Sequence, residues 1–295
     1  MYFGYEHPDD HPHAGMPLHG KNQFPDADIP EMRGFVLQYI DEVVELGKTL
    51  CDAMSLSLGL DTHYIRQQFL EPEPIPLCRC FNYHAPGSSG STEVWGIGEH
   101  TGECHAIVCS SVVDDAEDFG LLTILKQDSP GLQVRSPEGR WVDVPVVTDG
   151  FVVNGARSLP LITYRDYLDH SYLHPVGDML DMLTGGRFKS RPHRVLPPAP
   201  GTQRISFPFF FDFAWTAKMI PLPLPPLSEE AQKEAEERWG GTTFRAVQGE
   251  WWQYLAKKVQ KVFPDLKLPD FEANEVPSSR FAIEVPVAPP GTSAA

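Results

Sequence analysis

Three residues spread along the middle of the chain have the chemistry to share one metal ion: His100, Asp118 and His193. Two imidazoles and one carboxylate occupy one face of an octahedral ion and leave three positions open, a donor set suited to Fe(II). Eleven residues beyond His193 stand Arg204-Ile205-Ser206. On a strand, Arg204 and Ser206 point to the same face because side chains alternate. A guanidinium beside a hydroxyl makes a bidentate grip for a carboxylate, such as that of a 2-oxo acid. The plainer reading of Arg204 is an ion pair with a surface carboxylate. Isolated histidines such as His63, His170 and His174 are read as structural.

These residues must be held by strands. From Leu77 onward, short runs rich in Val, Ile, Phe and Leu alternate with Gly, Pro and Asp. They include Gly120 to Lys126, Gly131 to Val134, Trp141 to Val147, Phe151 to Asn154, Arg194 to Leu196 and Arg204 to Phe211. Many short strands with turn signals between them predict a sandwich or barrel. Helices flank this region. Val36, Ile40, Val43, Gly47, Leu50 and Met54 recur three or four apart, which predicts a helix from Pro30 to about Gly59 with one apolar face. A shorter helix is expected from Asp61 to Phe69, closed by Pro72 and Pro74. Ser228-Glu229-Glu230 starts another, a capping residue followed by acid in the first turn. Phe244, Val247, Trp251, Tyr254, Leu255 and Val259 predict a last helix from about Thr243 to Val262. Trp251, Trp252 and Tyr254 are read as core packing rather than a ligand cage.

Composition bounds the function classes. The 295 residues include 40 acidic and 24 basic side chains, for a formal charge of −16. Such a chain has no basic field to attract phosphates, so neither a nucleic-acid partner nor an anionic membrane is expected. The 29 prolines argue against an all-helical bundle. Cys51, Cys78, Cys80, Cys104 and Cys109 make no even, spaced framework, so a disulfide scaffold is not expected. Cys78-Arg79-Cys80 is too tightly spaced for a zinc knuckle and reads as ordinary thiols. The first residues lack a basic region followed by an apolar run, and no apolar stretch approaches the roughly 20 residues a membrane span needs. A cytoplasmic monomer acting on a small molecule is the expectation. His7, His11, His13 and His19 lie in a polar, proline-bearing stretch whose spacing fits no compact ligand set, so residues 1–30 read as irregular surface.

Several ordered motifs together resemble the iron(II)/2-oxoglutarate-dependent dioxygenases, in their isopenicillin-N-synthase-like branch. They are Gly96-Ile97-Gly98-Glu99-His100-Thr101, the run Asp118-Phe119-Gly120-Leu121-Leu122-Thr123-Ile124-Leu125-Lys126-Gln127-Asp128, and Gly131-Leu132-Gln133-Val134. Trp141-Val142-Asp143-Val144-Pro145, Gly177-Asp178-Met179-Leu180, Ser190-Arg191-Pro192-His193-Arg194-Val195 and Arg204-Ile205-Ser206 continue it. The resemblance covers roughly residues 30 to 265. It implies a mainly β chain with flanking helices (α+β), built on a double-stranded β-helix, or jelly-roll, core. It implies that His100, Asp118 and His193 ligate Fe(II), and that Arg204 and Ser206 hold the distal carboxylate of 2-oxoglutarate. Asn82-Tyr83 falls where the family carries an Asn-Tyr-Tyr run that helps to bind this cosubstrate, with His84 in the third place. The implied activity consumes O2 and 2-oxoglutarate to oxidise a small organic molecule, by hydroxylation, desaturation or cyclisation. Two alternatives stand beside it: an isopenicillin N synthase-type oxidase that needs no 2-oxo acid, and an inactive, truncated, insert-bearing pseudoenzyme.

The chain departs from the family pattern in two places. His-Thr-Asp is continuous in the family, but here residues 102–117 separate Thr101 from Asp118. Residues 155–175 likewise separate Asn154 from Val176. Deleting both restores an uninterrupted pattern, and each insert opens with Gly, as translated, unremoved introns could. Closing a sixteen-residue loop costs about 2.5 kcal/mol, which a fold can tolerate. Glu103, Cys104 and His105 then compete as ligands near His100, with Asp118 favoured over Glu103 because it keeps its downstream strand. The beginning also reads as incomplete against the family. The expected organisation is an N-terminal helical remnant (1–75), the oxygenase core (76–215), a C-terminal helical segment (216–270) and a loose tail (271–295).

Overall fold

The computed structural model describes residues 2–14, 19–85, 97–100, 120–136, 138–154, 177–189, 191–240, 247 and 249–262. Both inserts, residues 102–117 and 155–175, and the tail 271–295 lie outside them.

The apolar stripe after Pro30 forms helix α1, Glu31–Ser57. Its buried face is Ile40, Val43, Val44, Gly47, Leu50, Cys51 and Met54, spaced so that each lies over the turn below. The helix stops where Gly59 takes φ +74°, a conformation that costs glycine little. Helix α2, Tyr64–Phe69, starts later than expected because Asp61 closes a turn onto Tyr64 instead, the Tyr64 N–H donating to the Asp61 carbonyl at 2.9 Å. Its Ile65 and Phe69 are buried against α1.

Among the described residues ten strands follow the chain: β1 (Tyr2–Phe3), β2 (Pro74–Arg79), β3 (Phe81–His84), β4 (Ile97–His100), β5 (Leu122–Gln127), β6 (Leu132–Arg135), β7 (Trp141–Asp143), β8 (Val152–Asn154), β9 (His193–Val195) and β10 (Gln203–Ala214). They form two sheets. The larger runs β1-β2-β10-β5-β8, with β3 also paired to β10, and the smaller runs β4-β9-β6-β7. Every strand pair among them is antiparallel.

Strand β10 organises the large sheet. Along one edge its first residues pair with β3, from Gln203↔His84 to Ser206↔Phe81, and its last with β2, from Phe209↔Cys78 to Ala214↔Pro74. Pro208, which has no N–H to give to a ladder, falls between the two partners. The first half of β10 alternates buried and part-exposed positions, and the second half is buried throughout. The reason is cover: Phe209, Phe211 and Phe213 join the core shared with α1 and α2, so that half of the strand meets no solvent on either face. A second, smaller core of Leu132, Val134, Val144 and Val195 receives Tyr83, Leu125 and Val152 from the large sheet. The two sheets therefore face each other across it, as an apolar strand face requires.

Three further helices lie among the described residues: α3 (Asp178–Leu183), α4 (Glu229–Trp239) and α5 (Trp251–Val262). Ser228 caps α4, its Oγ accepting from the Ala231 N–H at 3.3 Å, as its sequence predicts. Helix α5 begins at Trp251 rather than near Thr243. Glu250 is held in a β-bridge to Lys218, and Gly249 before it takes φ +79°, so the backbone enters the helix only afterwards. Trp251 and Tyr254 are fully buried in the main core, in line with their reading as packing residues. No helix among the described residues is long and apolar enough to cross a membrane.

Candidate functional site

The site is built where the start of β10 meets the small sheet. Arg204 and Ser206 are each 1% exposed and lie on one face of the strand, as alternation requires. Arg204 is the direct cross-strand partner of Tyr83, and its Cζ lies 5.0 Å from the Tyr83 ring centroid. The Tyr83 hydroxyl sits against both Ser206 and the guanidinium. Burial pushes this phenol above its ordinary value, with Ser206 and Arg204 pulling the other way. Tyr83 therefore stays protonated and can donate.

A buried guanidinium needs partners, and Arg204 has some but not a full set. Its Nη2 donates to Gln127 Oε1 at 2.9 Å and its Nε to the Ser129 carbonyl at 3.3 Å. Gln127, itself buried, is held in turn by its Nε2 donating to the Pro145 carbonyl at 3.3 Å. The Nη1 of Arg204 has no hydrogen-bond partner among the described residues. Burial lowers the guanidinium from its ordinary value, and Tyr83 and Asp128 only partly offset this. A buried cation with an unused donor is costly unless an anion completes it. The geometry suits a carboxylate, which could take Nη1 and the Ser206 hydroxyl together.

Gly131 makes the close approach possible. It holds φ +137°, and a Cβ there would lie 3.2 Å from both Arg204 Cδ and the Leu196 carbonyl oxygen. The Leu196 N–H donates to the Gly131 carbonyl at 2.8 Å. Leu196 directly follows β9, so Gly131 joins the arginine of one sheet to the His193 strand of the other. His193 begins that strand three residues earlier, roughly 10 Å along it. Its Nδ1 faces the Arg191 carbonyl at 3.5 Å.

His193 and His100 are direct cross-strand partners in the β4–β9 ladder, positions whose Cα atoms in an antiparallel pair lie about 4.5–5.5 Å apart. Asp118 lies outside the described residues, as do Glu103, Cys104 and His105. The structure thus brings His100 to the position opposite His193, and Tyr83 to Arg204 and Ser206. It does not bring Asn82 to them. Asn82 pairs with Ile205 and is exposed on the opposite face of β3, where its Nδ2 donates to Gln203 Oε1 at 3.1 Å. Adjacent strand residues cannot serve one face, so the expectation that Asn82 and Tyr83 both hold the cosubstrate is corrected for Asn82. Arg204 is 1% exposed and, among the described residues, makes no ion pair with a surface carboxylate.

Sequence reasoning missed Gln127 and Gly131. Gln127 was detectable in principle, because it ends the same strand run that pairs with Ser206. It also treated Cys78 and Cys80 as ordinary thiols. Cys78 lies in β2 and Cys80 just beyond its end, and a hydrogen bond from the Cys78 thiol pulls Cys80 down to about 7 while burial opposes.

Comparison with known proteins bears on the same residues. The family model described as the 2OG-Fe(II) oxygenase superfamily matches residues 80–213, a span that holds Tyr83, His100, His193, Arg204 and Ser206. A probable iron/ascorbate oxidoreductase of Dictyostelium discoideum is 35% identical over 290 residues, covering 90% of this chain and 69% of that protein. The 2-oxoglutarate-Fe(II) type oxidoreductase hxnY of Emericella nidulans is 30% identical and matches 72% of this chain, which spans 51% of its length. Among solved structures, full-length Neurospora crassa T7H in complex with alpha-KG aligns at a TM-score of 0.59 and 20% identity, over 88% of this chain and 64% of that one. The chain thus spans between half and about two thirds of the length of these relatives.

Proposed function

The chain belongs to the 2OG-Fe(II) oxygenase superfamily, and from that premise we propose that it is a non-haem Fe(II)- and 2-oxoglutarate-dependent oxygenase of a small organic molecule. Its cofactor is Fe(II), with 2-oxoglutarate and O2 as cosubstrates. His100, Asp118 and His193 are the proposed ligands, and the two sheets form the jelly-roll core of the expected 76–215 segment.

The observation that carries this reading is the unused Nη1 of buried Arg204 beside buried Ser206. Such a donor pair is made for a carboxylate that comes from outside the chain. The direct opposition of His100 and His193 in the β4–β9 ladder supports their proposed roles as ligands of one ion. When bound, Fe(II) with O2 and 2-oxoglutarate supplies an oxidant able to take hydrogen from an organic substrate.

The chain's own residues do the rest. Arg204 binds the distal carboxylate through Nη1, with its other nitrogens already fixed on Gln127 and Ser129. Fixing them beforehand means that little side-chain freedom is lost on binding. Ser206 and protonated Tyr83 donate to the same carboxylate. The apolar cluster of Leu132, Val134 and Val195 with Leu125 keeps the space between the sheets dry, which strengthens each of these charged contacts. His193, with Nδ1 directed at the Arg191 carbonyl, keeps Nε2 for the metal.

The test is turnover of 2-oxoglutarate by the Fe(II)-supplied chain, read as succinate release. Succinate formation that depends on iron and is lost in Arg204→Ala supports the proposal. Oxygen uptake without succinate would instead indicate an oxidase that needs no 2-oxo acid. Absence of both, in a chain that binds no iron, would mark a pseudoenzyme.

A further inference from the structure

At the other end of the large sheet, the segment read from sequence as irregular surface gathers its histidines around one carboxylate. Two consecutive turns do this: the His11 N–H donates to the Pro8 carbonyl at 3.0 Å, and the Ala14 N–H to the His11 carbonyl at 2.9 Å. Glu73 arrives from the end of the α2–β2 connection, immediately before Pro74. The ligand atoms of His7, His11, His13 and Glu73 all lie within 4.8 Å of one another. Glu73 Oε1 is 3.6 Å from His7 Nε2, 3.4 Å from His11 Nε2 and 3.4 Å from His13 Nδ1.

These distances are too long for good hydrogen bonds, which run about 2.7–3.2 Å. They match the three edges of a coordination tetrahedron that meet at Glu73. Metal–ligand bonds of about 2.0–2.1 Å put ligand atoms about 3.3–3.4 Å apart. The rings of His7 and His11 also stack, with centroids 4.0 Å apart and planes tilted by only 5°. Neutral imidazole is the ligating form. His19 closes the group, 4.9 Å from the His13 ring and edge-on to Trp215 at 4.6 Å.

We infer that His7, His11, His13 and Glu73 form a closed, tetrahedral zinc(II) site that ties the N-terminal segment to the end of the large sheet. Four protein ligands leave no open position, so the site is structural. It is separate from the proposed iron centre. Trp215, which His19 touches, follows the last residue of β10, eleven residues and roughly 35 Å of strand from Arg204. The segment is already partly anchored: Asn22 exchanges two hydrogen bonds of 2.9 Å with Gly4, and Phe3 stacks on Phe24 at 4.8 Å. One rearrangement accompanies metal uptake. His11 Nδ1 accepts the His13 N–H at 3.2 Å, which leaves the ring proton on Nε2. Binding through Nε2 moves that proton to Nδ1 and gives up this one long hydrogen bond.

The test uses the full chain carrying His100→Ala and His193→Ala, so that the proposed iron centre cannot take the metal. The protein is stripped with a chelator, dialysed against zinc(II), and its zinc counted. One zinc per chain is expected, with X-ray absorption showing nitrogen and oxygen neighbours at about 2.0–2.1 Å, and with a zinc-dependent rise in the melting midpoint. Adding His13→Ala weakens zinc binding by at least about 10- to 100-fold, the loss caused even by mutating outer partners of a metal ligand. Should that variant fail to fold, Glu73→Gln, nearly the same shape, reads the same loss. Substoichiometric zinc in the parent, or stoichiometric zinc that neither substitution weakens, means an adventitious ion only and overturns the inference. Succinate release by the unsubstituted chain reports on the iron centre separately.

Discussion

The two ends of β10 carry contrasting groups of histidines and acids. At the Arg204 end, His193 and the position of His100 are opposed across a strand ladder. At the Ala214 end, His7, His11 and His13 meet Glu73 through turns, beyond any ladder. A ladder converts sequence spacing into geometry by a fixed rule, period two along the strand and direct opposition across it. Turns convert it case by case. The first group is therefore visible as a motif, and the second is visible only once Glu73 has been brought in from sixty residues away. The two ends also differ in what they await: a buried donor without a partner at one, and a closed set of four ligand atoms at the other.

The sharpest separation of the two ends comes from His193→Ala. Loss of one of the three proposed protein ligands is expected to abolish iron-dependent succinate release. Zinc at the N-terminal cluster stays at one per chain, because no backbone element is shared between the two ligand sets. Metal counting on the same sample checks both statements, and simultaneous loss of both metals would show that the two ends are not independent.

Arg204→Ala is next in size. It removes the proposed charged partner of the cosubstrate carboxylate, an expected loss of about 2–5 kcal/mol, so the KM for 2-oxoglutarate is expected to rise by about 30-fold or more. Iron binding is unchanged. Arg204→Lys keeps the charge but loses the planar fork and the Gln127 contact, and falls between the two. Steady-state kinetics against 2-oxoglutarate measures each. An iron loss in Arg204→Ala would mean that the clamp and the metal strand are mechanically one unit.

Gly131→Ala probes that very link. A side chain at φ +137° costs about 1–3 kcal/mol, and its Cβ would lie 3.2 Å from both Arg204 and the Leu196 carbonyl. The variant should melt several degrees lower, and the KM for 2-oxoglutarate should rise while zinc at the other end is untouched. Thermal unfolding with and without zinc reads both effects. A variant with unchanged melting and unchanged KM would remove Gly131 from the account.

How far the molecule was legible follows the same division. Helix α1 could be read from its stripe, because one face packs against one core and the 3.6-residue period survives. Strands β5 to β10 were legible to within a few residues, since their apolar runs are bounded by Gly, Pro and Asp, but β1 lies in a stretch read as irregular surface and β2, β3 and β4 were not among the runs read as strand. The start of α5 was not, because a β-bridge at Glu250 overrides the helical period that Val247 continues. Arg204 and Ser206 could be read as a clamp from their i, i+2 spacing, but what completes the guanidinium, Gln127 and the Ser129 carbonyl, comes from a neighbouring strand and loop that no local pattern announces. The N-terminal histidines were passed over for the same reason: their spacing has meaning only in the presence of Glu73.

Asn82 sets the smallest expected effect and the cleanest check on reading strands by motif. It stands next to Tyr83, and a family-wide run of residues invites both into one role. The pleat forbids it. Tyr83 shares a face with Arg204, whereas Asn82, paired with Ile205, is exposed and uses its amide on Gln203. Substitution at such a surface position costs within about 0.5 kcal/mol. Asn82→Ala is therefore expected to leave the melting midpoint within about 2 °C and the KM for 2-oxoglutarate within about twofold of the parent. Tyr83→Phe, which removes one hydroxyl from the carboxylate site, raises that KM by several-fold, the effect of about 1 kcal/mol from a single hydrogen bond. Measured side by side, the pair reports the register of β3 on β10: a larger loss at Asn82 than at Tyr83 would require the strand to be shifted by one residue, which would turn Tyr83 away from Arg204 as well.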